Sequence, residues 1–154
     1  MIDRFERFSY AISEISKYWH KIAAYEMEKH GLKGPYAVYF TTLYRFQEGI
    51  TSAKLGELCS RDKADVSRAI SILEQRGLVI KEEVNNNSYR ALIKLTDKGI
   101  EVAKEVIYAA KRAVDYGGQG LTEEQREIFY NALELIVSNL QKYSKKGLEK
   151  NESN

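Results

Sequence analysis

The sequence is poor in residues and segments on which several classes of protein depend. It has 154 residues, with one cysteine, one proline and two histidines. A single cysteine leaves no intrachain disulfide framework. No apolar run is long enough to span a bilayer, and no signal-peptide pattern is present. We therefore expect a cytoplasmic protein without a membrane partner.

The sequence also lacks the motifs of an enzyme. It has no glycine-rich phosphate loop, and its serine, histidine and acidic residues form no catalytic motif. His20 and His30 lie ten residues apart, a poor spacing for one metal site. We predict no catalytic activity, no metal and no cofactor, and we explain His30 as the partner of a helix C-terminus. A metal-sensing role of the histidines with nearby glutamates is the alternative.

The net charge of +2 is small for a protein that binds nucleic acid. The segment from Arg61 to Lys98 contains eight basic and six acidic residues. The charge is therefore no more than permissive for nucleic-acid binding, and any such affinity would depend on where a few cations are placed.

Residues 54–79, KLGELCSRDKADVSRAISILEQRGLV, predict a helix-turn-helix. In the first helix Leu55, Leu58 and Cys59 make one narrow apolar stripe. Cys59 is then a small core residue, with redox sensing as the alternative. Gly56 implies a close helix contact, because a mid-helix glycine costs roughly 1 kcal/mol against alanine.

The second helix is expected to begin after Asp62, an N-cap residue, and to end at Gly77. Its 3.6-residue period gives it an apolar face and a polar face. The apolar face consists of Val66, Ala69, Ile70 and Leu73. The opposite face consists of Ala64, Arg68, Ser71 and Gln75, with Asp65 and Ser67 on its flanks. Arg68 can pair with guanine or with a phosphate; an ordinary solvated helix face is the alternative.

Two strand-like runs, VIKEEV (79–84) and YRALIKL (89–95), follow the second helix. Asn85 to Ser88 lie between them and favour a turn. This hairpin predicts a wing, with Tyr89 and Arg90 near its tip, where they could reach a phosphate or the minor groove.

The chain resembles the MarR family of bacterial winged-helix transcription regulators. The resemblance lies in Leu55, RDKADVSR (61–68), LEQRGLV (73–79), the wing, LTDKG (95–99) and LTEEQ (121–125), and it covers nearly the whole chain. The family's wing carries an Asp-x-Arg pair near its tip. Here Asn87 and Tyr89 hold the matching positions and Arg90 comes one step later. Either the hairpin register is shifted, or this wing contacts DNA differently.

Three apolar stripes outside the lobe predict a shared partner surface. They consist of Phe5, Phe8, Ile12, Ile15, Trp19 and Ile22; of Ile100, Ala103, Ile107, Ala110 and Val114; and of Phe129, Leu133, Ile136, Leu140 and Tyr143. Thr96 is expected to cap the second of these helices, and Thr122 with Gln125 the third. Intramolecular packing is the alternative. The resemblance implies a homodimer with interleaved terminal helices.

The fold class that we predict is mainly α with a small β wing (α+β). A single domain would span 1–147, with dimerisation helices over 1–33 and 100–147, a winged helix-turn-helix lobe over 34–99, and a disordered tail over 148–154. The resemblance implies a homodimeric repressor of a pseudo-palindromic double-stranded DNA site. The alternative is a winged-helix module that binds another protein and not DNA.

The predicted DNA contacts fall into three groups. Arg68, Ser67, Ser71 and Gln75, with Asp65 beside them, would read or flank bases; Thr51, Ser52, Lys54 and Lys63 would hold phosphates; Tyr89 and Arg90 would act at the wing. The resemblance also implies a small aromatic or phenolic effector. The candidate residues of its binding site are Tyr18, Trp19, Tyr36, Tyr39 and Tyr44. The alternative is that these aromatic residues lie in the core or at an interface.

Overall fold

A computed structural model describes the backbone of residues 1–151 and the side chains of residues 1–86 and 90–147. In these residues a small antiparallel sheet lies among helices, so the predicted mainly α fold with a β wing is confirmed. The elements are α1 (Arg4–Glu28), a 3₁₀ turn (Gly34–Tyr36), α2 (Ala37–Arg45), β1 (Ile50–Thr51), α3 (Ser52–Cys59), α4 (Lys63–Gln75), β2 (Val79–Val84), β3 (Asn87–Leu95), α5 (Asp97–Gly117) and α6 (Glu123–Asn151).

The chain divides into two compact units, Met1–Ala113 and Val114–Asn154. The extent of the predicted single domain stays a prediction. The tail predicted to be disordered, 148–154, lies outside the residues whose side chains the structure describes. The described backbone of α6 is helical to Asn151. Within the described residues, no helix is both long and apolar enough to cross a membrane.

The core of the first unit joins α2, α3, α4, the sheet and the start of α5. Its largest fully buried side chains are Phe40, Met27, Leu43, Leu55, Ile70, Leu73, Ile93, Val66 and Val79. Gly56 lies where α3 approaches the turn before α4. A Cβ atom there would stand 3.0 Å from the carbonyl oxygen of Arg61 and 3.2 Å from Cγ2 of Val66. The close contact predicted for this glycine is therefore confirmed.

The wing is a three-stranded sheet in the order β1-β3-β2. Its tip is shorter than predicted. Asn85 and Asn86 alone form the loop, with φ of +57° and +58°, and β3 already begins at Asn87. Two consecutive residues with positive φ suffice because they match the twist of the flanking strands, and asparagine tolerates that conformation.

The pairing register of the wing shifts near its tip. Glu82 pairs with Leu92, whereas Val84 pairs with Asn87. Two steps along β2 thus correspond to five along β3, so β3 carries the extra residues between Asn87 and Leu92. Tyr89 and Arg90 lie in this irregular segment. A bulge of this kind redirects side chains relative to a regular ladder.

The second unit begins with the last turn of α5 and continues into α6. Thr122 and Gln125 form the predicted capping box. The backbone N–H of Thr122 donates to Oε1 of Gln125 at 2.9 Å, and the backbone N–H of Gln125 donates to Oγ1 of Thr122 at 3.1 Å. Arg126, in the first turn of α6, also binds the segment that precedes the helix: its Nη2 donates to the carbonyl oxygen of Gly118 at 2.9 Å. These bonds fix the start of α6.

Candidate nucleic-acid interface

Helix α4 has the two faces that its sequence predicts. Its N-terminus is capped by Asp62, whose carboxylate accepts from the backbone N–H of Asp65 at 2.8 Å. The apolar residues Val66, Ala69, Ile70 and Leu73 are all buried. The residues of the polar face, Ala64, Ser67, Arg68, Ser71 and Gln75, are exposed. Helix α4 therefore offers one small, polar surface that no described side chain covers.

Arg68 is held in place on this surface by Asp65. Nη2 of Arg68 pairs with Oδ1 of Asp65 one turn earlier, and the Arg68 side chain is 67% exposed. An exposed pair at this spacing contributes about 0.3–0.5 kcal/mol. The pair therefore orients the guanidinium but leaves its remaining N–H donors free to bind another group. Breaking the pair costs little free energy.

A hollow of about 570 Å³ lies beside α4, between the start of α3 and the wing. It brings together three of the predicted phosphate ligands, Thr51, Ser52 and Lys63. Thr51 also caps α3, since its Oγ1 accepts from the backbone N–H of Lys54 at 3.2 Å. The N-terminus of a helix carries a partial positive charge that favours anions. In the hollow this charge lies near the side chains of several cations.

Two cations of the hollow, Arg61 and Lys81, are absent from the predicted site. Arg61 lies in the turn between α3 and α4, and Lys81 lies on β2. Their only sequence signal is charge, because nothing local shows that a turn and a strand of the wing flank one hollow. Lys54, by contrast, is exposed and pairs with Glu57, its Nζ lying 3.3 Å from both carboxylate oxygens. That pairing leaves Lys54 a weaker phosphate ligand.

The wing contributes Arg90, which is exposed. The side chain of Tyr89, the other predicted wing contact, lies outside the described residues. Lower on the wing, Lys94 Nζ pairs with Oε2 of Glu82 at 2.5 Å, and this hydrogen bond raises the pKa of Lys94. Arg90 is thus the wing cation nearer the tip, whereas Lys81, which pairs with Ile93, lies in the lower half of the wing beside Lys94.

The C-terminal end of α4 is joined to two other segments. Nη1 of Arg76 donates to the carbonyl oxygen of Gly31 at 2.6 Å and to that of His30 at 3.4 Å. Nζ of Lys98 donates to the carbonyl oxygen of Arg76 at 3.3 Å. The position of α4 is therefore coupled to the end of α1 and the start of α5.

The five aromatic residues predicted to bind an effector do not share one cavity. Trp19 lines a hollow of about 290 Å³ formed by α1, α2 and α5. Tyr36 and Tyr39 line a second hollow of about 330 Å³ together with Arg61 and Arg68. Tyr18 and Tyr44 line neither of these two hollows.

Tyr39 and Cys59 behave as core residues. Tyr39 is 4% exposed, and burial raises the pKa of its hydroxyl. Burial also raises the pKa of the Cys59 thiol, and the Sγ–Oγ1 hydrogen bond with Thr42, 3.4 Å long, opposes that rise. The packing predicted for Cys59 is thereby confirmed.

No protein-family model and no curated protein sequence matches the chain. Solved structures do match it over almost their whole length. A MarR family regulator from Listeria monocytogenes, complexed with a 26mer DNA, has a TM-score of 0.80 and 27% identity, over 96% of this chain and 97% of that one.

Two further structures agree. A MarR regulator from Methanosarcina mazei Go1 has a TM-score of 0.78 and 24% identity, over 92% of this chain and 94% of that one. MepR from Staphylococcus aureus, in a DNA complex, has a TM-score of 0.77 and 22% identity, over 86% and 97%. With the element order and the LTDKG junction, these matches show that the chain has the fold of MarR family winged-helix transcriptional regulators, and they support the resemblance predicted from the sequence.

Proposed function

We propose that this protein is a sequence-specific double-stranded DNA-binding regulator that acts as a homodimeric repressor. The observation that carries the proposal is the exposed polar face of α4, centred on Arg68, beside a hollow whose lining includes three cations, Arg61, Lys63 and Lys81, and one anion, Glu57. The Listeria monocytogenes and MepR structures, both described with DNA, support it by their similarity.

In this proposal α4 enters the major groove. Arg68 donates to the O6 and N7 acceptors of a guanine, while Ser67, Ser71 and Gln75 contact or flank neighbouring bases. Asp65 either keeps the guanidinium in position or accepts from a cytosine amino group. A face of small polar side chains lets the helix approach the base edges closely, which a row of long charged side chains would prevent.

Phosphates are bound beside the helix. Lys63, Arg61 and Lys81 around the hollow supply charge, while Thr51 and Ser52 supply hydroxyl groups at the start of α3. Arg90, and Tyr89 in the irregular segment of the wing, would reach the adjacent minor groove or its phosphates. Lys54 contributes only if its pairing with Glu57 is exchanged for a phosphate.

The apolar stripe of α1 supports a homodimer. Its residues are each between 41% and 68% exposed: Phe5, Phe8, Ile12, Ile15, Trp19 and Ile22. Only Glu26 and Met27, at the end of this helix, are buried. An apolar face of this length in water marks an interaction surface. On α6, Phe129 and Leu140 are likewise exposed, at 44% and 52%.

A two-fold dimer would present its α4 helices to half-sites roughly 34–36 Å apart, on a pseudo-palindromic site. A small aromatic or phenolic effector would release it. The hollow lined by Trp19, about 290 Å³, is just below the usual range of about 300–1,000 Å³ for ligand pockets, so the effector would have to be small. The effector would act by binding better to the state whose α4 helices are wrongly spaced for DNA.

The test starts with selection of the purified chain on a random duplex pool, followed by salt titration of the enriched sequence. We expect an inverted repeat and a steep fall of affinity with salt, because phosphate contacts release counterions. Arg68→Ala should then weaken specific binding by about 1–3 kcal/mol and relax the preference at one base position.

Arg112→Ala is the matched control, since it removes the same charge from an exposed site on α5. It should bind the selected sequence as the parent does. Equal losses in the two variants would mean that Arg68 acts only through net charge. Failure of the parent to enrich any sequence at low salt would refute the proposed function.

A further inference from the structure

Three side chains with metal-binding chemistry meet where α1 ends against α5. Glu26 lies in the last turn of α1, His30 lies two residues beyond the end of that helix, and Glu105 lies on α5. Nε2 of His30 is 3.1 Å from Oε2 of Glu105 and 3.9 Å from Oε1 of Glu26. One donor atom from each of the three residues lies within 4.8 Å of the other two.

The cluster is partly sheltered from water and incompletely bonded. The side chain of Glu26 is 10% exposed and that of His30 15%, whereas Glu105 is 62% exposed. Nε2 of His30 is buried, and among the described atoms it makes no hydrogen bond of acceptable geometry, despite the nearness of Glu105. A buried polar atom without a partner costs about 1–3 kcal/mol, so it calls for an explanation.

We propose that Glu26, His30 and Glu105 form a site for one divalent first-row transition-metal ion. Donors bound to one zinc ion at about 2.0–2.2 Å lie roughly 3–4 Å from each other, and the two distances from His30 fall in this range. Imidazole nitrogen with carboxylate oxygens suits such ions, and water would complete the coordination. The exposed side chain of Glu105 can adjust to close the site.

The ion would also balance the charge of the cluster. The two carboxylates face one imidazole, and the cation nearest to Glu26 is Lys29, whose Nζ lies 2.9 Å from Oε2. Lys29 is half exposed and belongs to the same turn, so it can turn away into water when an ion binds. His30 would supply a neutral imidazole, so that its buried Nε2 gains the partner that it lacks.

The location of the site would couple metal binding to the position of α4. The carbonyl oxygens of His30 and Gly31 accept from Arg76, the residue that follows α4. An ion that ties His30 to Glu105 would fix this segment and, with it, the end of α4. This regulatory consequence rests on the proposed DNA-binding function, whereas the metal site itself does not.

The full-length chain, stripped with a chelator, would be titrated calorimetrically with ZnCl₂ and separately with MnCl₂. We expect one ion per chain for at least one metal. Glu105→Gln and His30→Ala should each weaken binding at least roughly tenfold, the loss typical of even outer-shell partners. Circular dichroism would show that both variants fold.

Two variants serve as matched controls. Glu101→Gln makes the same change one turn earlier on α5, at a side chain that is 72% exposed, and His20→Ala removes the other histidine. Both should bind the ion as the parent does. The site is refuted if the parent binds neither ion, or if Glu105→Gln binds as tightly as Glu101→Gln.

DNA affinity, measured with and without the ion, separates the two proposals. A change in the parent that Glu105→Gln lacks would support the coupling through Arg76, and an unchanged affinity would refute it. Metal binding by a chain that binds no DNA would support the site and refute the proposed function.

Discussion

Replacing Gly99 by alanine tests the junction that holds the lobe to α5. A Cβ atom built on Gly99 would lie 2.0 Å from the carbonyl oxygen of Leu78, at least about 1 Å closer than real contacts of this kind. That oxygen cannot simply rotate away, because it accepts from the backbone N–H of Thr96 at 3.1 Å. Either Leu78 or the start of α5 must therefore move.

The expected cost follows from opposing contributions. Overpacking of this kind costs about 1–3 kcal/mol, and weakening the Thr96–Leu78 hydrogen bond adds about 0.5–1.5 kcal/mol. Replacing a helical glycine by alanine, in contrast, stabilises the helix by about 1 kcal/mol. We expect Gly99→Ala to lower the free energy of unfolding by about 1–3 kcal/mol, and each kcal/mol should lower Tm by roughly 2–4 °C.

Urea unfolding followed by circular dichroism measures this change. All variants would be compared at one protein concentration, because the stability of any chain that self-associates, as proposed here, depends on concentration. Gly117→Ala is the control, because a Cβ atom there meets nothing within 4 Å. It should be neutral or more stable by up to about 1 kcal/mol. A Gly99→Ala protein as stable as the parent would refute the steric argument.

Three further predictions follow from the same structure. Thr96→Val should cost about 1–2 kcal/mol in urea unfolding, because its hydroxyl donates to the carbonyl oxygen of Gly77 at 2.7 Å and caps α5. Cys59 should react with iodoacetamide far more slowly in the folded chain than in the unfolded one, because burial raises the pKa of its thiol. That raised pKa favours the neutral thiol, so its contribution to stability should be lost as pH rises through the folded-state pKa. Lys63→Ala should reduce the salt dependence of DNA binding by about one unit of slope, with affinity lowered on all sequences alike.

Each of these predictions has its own control. Thr96→Ser keeps the hydroxyl and should keep most of the stability, so equal losses in the two variants would assign the effect to packing. Rapid alkylation of Cys59 in the folded chain at pH 7 would contradict its burial. Lys111→Ala, at an exposed position of α5, should leave the salt slope unchanged, and an equal change there would remove the special role of Lys63.

Local features of the fold could be predicted because local chemistry encodes them. Asp62 stops the chain from extending α4 backward, the capping box at Thr122 starts α6, and the spacing of Val66, Ala69 and Ile70 fixes the buried face of α4. These signals act over three or four residues. The tip of the wing was predicted too long, because Asn85 to Ser88 all favour a turn, and their sequence does not show where the pairing of β3 with β2 begins.

Other features depend on segments that are far apart in the sequence. Arg61 and Lys81 line one hollow, and no spacing rule relates a turn to a strand of the wing. The register shift in β3 depends on how that strand pairs with β1 and β2 together. The predicted aromatic site was divided between hollows for the same reason, since the sequence shows tyrosines but not which helices enclose them.

By itself, then, the sequence determined the helix-turn-helix, its caps and the polar face of α4, because periodicity and capping are short-range properties of the chain. Only the tertiary structure decided that Arg76 reaches the end of α1, that Gly99 meets Leu78, and that His30 lies between two glutamates of different helices. Such contacts form when distant segments pack to bury their apolar faces. The residues that meet at their edges are a consequence of that packing, which no local pattern specifies.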